Sequence, residues 1–222
     1  MSRLVVKVGG AVASDAAANV LDLAACGHEI CVVHGAGPQI TEEMERFGIP
    51  VEFVAGRRVT SRAGLAVVRS SLAAVNRALC AAIGARAVPL FGDEIGLYAV
   101  QVAQLGLVGD PLPSRPPKLV EALEKGFIPV VAPLGVGPLN VNADEAATAI
   151  ALGVDAERLI FLTDVDGLIL DGEVVDAIDA ARATELLDAG LLDGGIIPKL
   201  RAAAAAARDG VPAAIGRTAV TA

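Results

Sequence analysis

The chain has 222 residues, and 18 Lys and Arg against 26 Asp and Glu give a net charge of −8 with histidine neutral. A hydrophobic share of 54% beside 20% charged residues excludes a disordered chain and leaves one large α/β domain or two small lobes. The acidic balance, with no Lys/Arg cluster, argues against a nucleic-acid partner. Short Val/Ile/Leu runs alternate with Ala-rich stretches, the pattern of an α/β fold whose mainly parallel sheet is covered on both faces. In chain order, residues 4–8 are the first predicted strand. A helix capped by Ser14 or Asp15 then runs to about residue 25, where Gly27 stops it. Residues 30–33 form a second strand, and His34-Gly35-Ala36-Gly37-Pro38 leads into a helix over about 39–47. Residues 51–54 and 57–59 flank Ala55-Gly56 as a small hairpin. A long helix from about 63 to 83 follows, with Thr60 or Ser61 as its cap.

From 87 to about 108 the pattern turns to short strands, and the proline-rich segment 112–117 connects to a helix at 118–125. Residues 128–132 and 139–141 are strands, Asp144 opens a helix to about 152, and strand 159–162 ends in Thr163-Asp164-Val165-Asp166-Gly167. Helices near 181–189 and 199–208 and a strand near 213–215 complete the pattern. Pro133, Gly135, Gly137 and Pro138 mark a lobe boundary, giving residues 1–135 and 136–222 as two lobes of one continuous sheet. The mean hydropathy of +0.60 reflects abundant Ala and Val. Gly, Pro or a charge interrupts each apolar stretch before the roughly 18–20 residues that span a bilayer, so no membrane partner is expected. Nor does the start hold a secretory signal core. Cys26, Cys31 and Cys80 lack paired-ligand spacing and are expected to be reduced core thiols of a cytoplasmic protein.

Four segments carry chemistry. Lys7 lies inside an apolar strand and is followed by Gly9-Gly10. A buried ammonium is costly unless an anion meets it, and glycines let backbone N–H groups approach an oxyanion. A snorkelling lysine beside an ordinary turn would give the same string. The loop from His34 to Pro38 also leaves a strand and enters a helix, so a phosphate or carboxylate could meet both loops at the carboxyl edge of the sheet; a tight turn is the plainer alternative. His34 itself is expected to be a hydrogen-bonded core residue. Asn140 and Asn142 stand two apart on a strand, which points both amides the same way, and Asp144 can cap the next helix or orient an ammonium. Lys199 follows Asp193-Gly194-Gly195 and Pro198 at the positive end of a helix, where a cation is unfavourable unless an anion binds nearby. Arg57 and Arg58 offer a guanidinium fork for a carboxylate, with one of the two expected at the surface.

Taken together and in order, KVGG at 7–10, VVHGAGPQI at 32–40, GRRVT at 56–60, LNVNADEAATA at 139–149, LTDVDGL at 162–168 and GGIIPK at 194–199 resemble the amino-acid kinase family over nearly the whole chain. Within that family the resemblance is to members that move the ATP γ-phosphoryl to the γ-carboxylate of N-acetyl-L-glutamate in arginine biosynthesis. It implies a three-layer αβα sandwich. The lobe 1–135 would bind the acyl amino acid and dimerise, and the lobe 136–222 would bind ATP, with Mg²⁺ carried by the nucleotide and no metal held by the protein itself. Lys7 and Lys199 match the lysines that stabilise the migrating phosphoryl, and Asp144 matches the aspartate that orients them. Gly10, Gly35, Ala36, Gly37, Arg58, Asn140 and Asn142 are then substrate-binding. Gly9, Thr163, Asp164, Val165, Asp166, Gly167, Leu168, Ile169, Asp193, Gly194 and Gly195 are nucleotide-binding. Ala36 stands where the family commonly has glycine, so a positive φ there would strain it. Arg57 replaces a residue that is often uncharged. The short segment ahead of the first strand suggests an arginine-insensitive homodimer, and the tail after Gly210 is short against the family pattern. Alternative activities are a kinase for aminoadipate or glutamate linked to a carrier protein in lysine biosynthesis, and a non-catalytic amino-acid-sensing domain. Retention of Lys7, Asp144 and Lys199 together disfavours the second.

Overall fold

A computed structural model describes residues 2–9, 13–163 and 165–222, with the backbone alone at 13–15. The chain opens with β1 (Arg3–Val8), α1 (Ala13–Ala25), β2 (Glu29–His34) and α2 (Gly37–Arg46). A two-stranded hairpin, β3 (Phe53–Val54) and β4 (Arg57–Arg58), precedes the long α3 (Arg62–Ile83). Next come β5 (Ala87–Phe91), the single turn α4 (Gly92–Ile95), β6 (Ala99–Gln101), β7 (Val108–Pro111) and α5 (Pro117–Glu124). The strands β8 (Ile128–Ala132), β9 (Leu134–Gly135) and β10 (Leu139–Val141) lead to α6 (Ala143–Gly153) and β11 (Arg158–Leu162). A second hairpin, β12 (Ile169–Leu170) and β13 (Glu173–Val174), is followed by β14 (Ala177–Asp179) and α7 (Ala180–Asp188). The last elements are α8 (Ile196–Arg208), β15 (Ala213–Ile215) and β16 (Thr218–Thr221).

Eight strands form the central sheet in the order β14-β16-β15-β11-β1-β2-β8-β5. All neighbours run parallel except β15 and β16. One half of this sheet comes from residues 3–132 and the other from residues 158–221, and the halves meet where β1 pairs with β11. Alternation along β1 sorts its side chains between two cores. Leu4, Val6 and Val8 face α1, α2 and α3, while Val5 faces the layer built from α5, α6, α7 and α8. The expected three-layer αβα sandwich is thus present. A smaller sheet, β6-β7-β10-β9, carries β10 and the entry to α6.

Several local expectations change. Helix α1 begins at Ala13, so Ser14 and Asp15 fall within its first turn instead of capping it. Between 87 and 108 the chain includes α4 and a 3₁₀ turn at Ala103–Leu105. The 22-residue α3 is long and apolar enough, by length and composition alone, to cross a membrane, although Gly64, Arg69 and Arg77 interrupt its apolar run. It lies on the sheet, burying Val67, Val68, Leu72, Val75, Leu79 and Ile83, and its Arg69 pairs with Asp93 and Glu94. Cys31 is buried, but Cys26 is exposed and is not a core thiol.

His34 is a core residue, as expected, with no exposed surface. Its Nε2 meets the Asn76 amide nitrogen at 3.0 Å and its Nδ1 lies 3.3 Å from the Gly35 carbonyl oxygen. The Asn76 amide nitrogen can only donate, so Nε2 is the acceptor and Nδ1 carries the proton. Burial pushes the imidazole pKa down to about 4, against a raising effect of the Gly35 carbonyl. The ring is therefore neutral at neutral pH and fixes the start of the loop that follows β2.

Candidate active site

Strand alternation puts Lys7 on the Val5 side of β1, toward α6. Its Nζ lies 2.8 Å from Asp144 Oδ1, with the two side chains 8% and 9% exposed. Asp144 is the second residue of α6. Helix α6 is capped by Asn142, whose Oδ1 accepts from the N–H groups of Asp144 and Glu145 at 2.8 and 3.3 Å. The cap expected of Asp144 therefore belongs to Asn142, which releases the Asp144 carboxylate to orient the ammonium. Because β10 ends at Val141, Asn142 lies outside the strand, and strand alternation does not set its direction.

Arg58 is 7% exposed. Its Nη2 donates to Thr41 Oγ1 at 2.7 Å and to the Gly37 carbonyl at 3.2 Å, and its guanidinium stacks on Phe53 at 4.6 Å. These partners are neutral, and burial holds the guanidinium pKa below the usual arginine value. A buried cation surrounded by neutral groups favours an incoming anion. The neighbouring Arg57 is not the loose surface residue that was expected of one of the pair: it is paired to Glu145 and Asp110. Thr60 joins the site from behind, donating to the Arg58 carbonyl at 2.8 Å and accepting from the Asn140 amide at 2.9 Å.

The loops Gly35–Gly37 and Asn142–Asp144 and the side chains of Lys7, Arg58, Asn140 and Lys199 line one cavity of about 370 Å³, with Gly9 at its edge. The N-termini of α2 and α6 open onto it, adding partial positive charge. Ala36 has φ −146°, ψ 32°, so it escapes the strain that a positive φ would have imposed. Lys199 reaches the cavity from the first turns of α8, its Nζ donating to the Gly195 carbonyl at 3.0 Å. The resulting site combines two ammonium groups from opposite halves of the sheet, a buried guanidinium and apolar walls from Ile40, Leu72 and Val108.

Other expected residues fall elsewhere. Gly10 and Asp164 lie outside the described residues. Thr163, Val165, Asp166, Gly167 and Ile169 follow β11 and do not line the cavity. Leu168 is fully buried and its N–H donates to Thr218 Oγ1. Asp193, Gly194 and Gly195 form an exposed turn ahead of α8, and a Cβ at Gly194 would meet open space. Helix α8 has no side-chain cap, so its uncapped first turn can receive an anion. Among the described residues no group of three or more His, Cys, Asp or Glu side chains is arranged to hold a metal. Thr41, Phe53 and Thr60 were not recognised as site residues, although Thr60 closes the quoted GRRVT string.

A model described as the amino acid kinase family matches residues 2–217. The chain is 43% identical over 224 residues to the acetylglutamate kinase of Rubrobacter xylanophilus, covering 97% of this chain and 88% of that protein. The acetylglutamate kinase of Geobacillus kaustophilus is 37% identical, with coverage of 94% and 87%. Among solved structures, smu.665 from Streptococcus mutans superposes with a TM-score of 0.89 at 30% identity, over 99% of this chain and 98% of that one. N-acetylglutamate synthase from Neisseria gonorrhoeae, at 22% identity and a TM-score of 0.82, shares the fold over 99% of this chain and 61% of its own.

Proposed function

The chain belongs to the amino acid kinase family, and from that premise we propose that it is an acetylglutamate kinase, moving the γ-phosphoryl group of ATP to the γ-carboxylate of N-acetyl-L-glutamate. The observation that carries this reading is the meeting of Lys7, Lys199 and Arg58 in one cavity, with Asp144 holding Lys7. The bond between the γ-phosphorus and the bridging β,γ oxygen breaks as a carboxylate oxygen bonds to the same phosphorus, giving ADP and an acyl phosphate. The acceptor is already ionised at neutral pH, so no general base is needed, in keeping with a neutral, buried His34. Two anionic reactants repel, and the protein's task is positioning and charge neutralisation.

In this reading Lys7 and Lys199 contact the transferring group from opposite sides. Arg58 binds the α-carboxylate as a fork, and Asn140 and the Gly35–Gly37 loop meet the rest of the acyl amino acid. Gly9 and the Gly194–Gly195 turn face the nucleotide phosphates. Mg²⁺ arriving with ATP would neutralise the phosphate oxygens when bound. The acyl amino acid then belongs to residues 1–135 together with the β10–α6 entry, and the nucleotide to the half built from residues 158–221. A homodimer and a cytoplasmic location are part of the same proposal; unpaired Cys26, Cys31 and Cys80 are compatible with a reducing compartment.

ATP-dependent acyl phosphate formation, trapped as the hydroxamate, tests this with N-acetyl-L-glutamate, N-acetyl-L-aminoadipate, free L-glutamate and carrier-linked aminoadipate. The expected kcat/KM for N-acetyl-L-glutamate exceeds that for the one-methylene-longer analogue by roughly 10–200-fold. Preference for the carrier-linked substrate, or no product from any of them, would refute it.

A further inference from the structure

On the two-residue strand β4, neighbouring side chains leave on opposite sides. Both arginines border the cavity, but Arg58 bonds to Thr41 and the Gly37 carbonyl, whereas the Arg57 guanidinium is engaged by Glu145 and Asp110. Its Nε and Nη2 donate to Glu145 Oε1 at 3.0 and 2.9 Å, and Nη2 also pairs with Asp110 on β7. Glu145 follows Asp144 on the first turn of α6. Consecutive carboxylates of one helix therefore hold Lys7 of β1 and Arg57 of β4.

We propose that Arg57 is a positioning residue that latches the β3–β4 hairpin to α6 and thereby sets Arg58 for the substrate α-carboxylate. This rests on the function proposed above. A hairpin of two residues per strand is marginal by itself. Its turn, moreover, places Ala55 at φ 49° and Gly56 at φ 80°, a conformation unfavourable for alanine. The base is anchored at Thr60, which bonds to the backbone of Leu105 and Leu107, while Phe53 and Val54 near the tip are exposed. Arg57 ties down the tip side. Exposed ion pairs contribute little, but this one is a fork onto two carboxylates, with Arg57 25% and Glu145 31% exposed. Burial alone would lower the Arg57 pKa, and the contacts with Glu145 and Asp110 outweigh it and raise the value. Lysine cannot reproduce such a fork.

Steady-state kinetics of Arg57→Gln and Glu145→Gln test the latch. Each is expected to raise the KM for N-acetyl-L-glutamate about tenfold, with kcat and the KM for ATP within about twofold. Arg57→Lys should fall between, and the double variant should be no worse than either single one. Unchanged KM, a fall in kcat at constant KM, or fully additive losses would overturn the proposal. Amide hydrogen exchange on the ligand-free chain gives a reading independent of substrate identity. Residues 53–58 should exchange faster in Arg57→Gln and Arg57→Lys, and wild-type protection there would overturn the latch. A wild-type chain that exchanges as expected yet phosphorylates none of the acyl amino acids contradicts the proposed function alone.

Discussion

Replacing Lys199 with alanine is expected to lower kcat by roughly 10²–10³, the scale of losing one charge contact made in the transition state, while the protein stays folded. The residue is well placed for such a separation. Helix α8 is held in the core by Leu200, Ala202, Ala203, Ala206 and Ala207, whereas Lys199 points to the cavity and bonds to the Gly195 carbonyl of its own helix start. Alanine is the best helix former, so the truncation costs the helix nothing intrinsic. The Lys199 ammonium gains most as phosphate charge develops beside it in the transition state. Its effect should therefore fall on kcat, with the KM for N-acetyl-L-glutamate changed by less than about threefold. Steady-state rates together with a thermal melt measure both parts. Turnover near the wild-type level would remove Lys199 from the chemistry.

Asp144→Asn is expected to do damage on two levels. The Lys7–Asp144 pair is more than nine-tenths buried, and deleting one charge of such a pair leaves the other unpaired at a cost of about 3–5 kcal/mol. Urea unfolding should read that loss. The same change frees the Lys7 ammonium from its 2.8 Å tether, and kcat should fall about 10²-fold. A double change, Lys7→Met with Asp144→Leu, separates the two effects. Replacing a buried pair by apolar residues of similar size is often neutral or stabilising, so stability should return and turnover should not. A stable and active Asp144→Asn variant would show that the pair is neither structural nor catalytic.

The direction of Lys7 was legible because β1 alternates: Leu4, Val6 and Val8 share one face, and Val5 and Lys7 the other. The glycine-rich exits of β1 and β2 and the start of α8 were legible for the same local reason, since their residue types punctuate strands and helices. The cap of α6 was not. Asn and Asp cap helices about equally well, and only the ion pair with Lys7, contributed by a strand far away in sequence, decides that Asn142 takes the role and Asp144 does not. Arg57 was misjudged because its partner Glu145 lies 88 positions further on. The surroundings of Arg58 likewise depend on how α2 packs beneath β4, which placed Thr41 within 2.7 Å. Strands β12, β13, β14 and β16, each two to four residues long, are too short to carry a period. Leu168 illustrates the consequence, since the partner that takes its N–H is Thr218, next to the unrecognised turn before β16.

The central claim, that ammonium groups from opposite halves of the sheet act on one phosphoryl group, is tested most directly by a crystal structure with N-acetyl-L-glutamate and a non-hydrolysable ATP analogue bound together. The expected result is the Nζ atoms of Lys7 and Lys199 each within about 3 Å of oxygens on the γ-phosphoryl group, with the γ-carboxylate in line. A ternary complex that leaves either ammonium out of hydrogen-bonding reach of that group would contradict it.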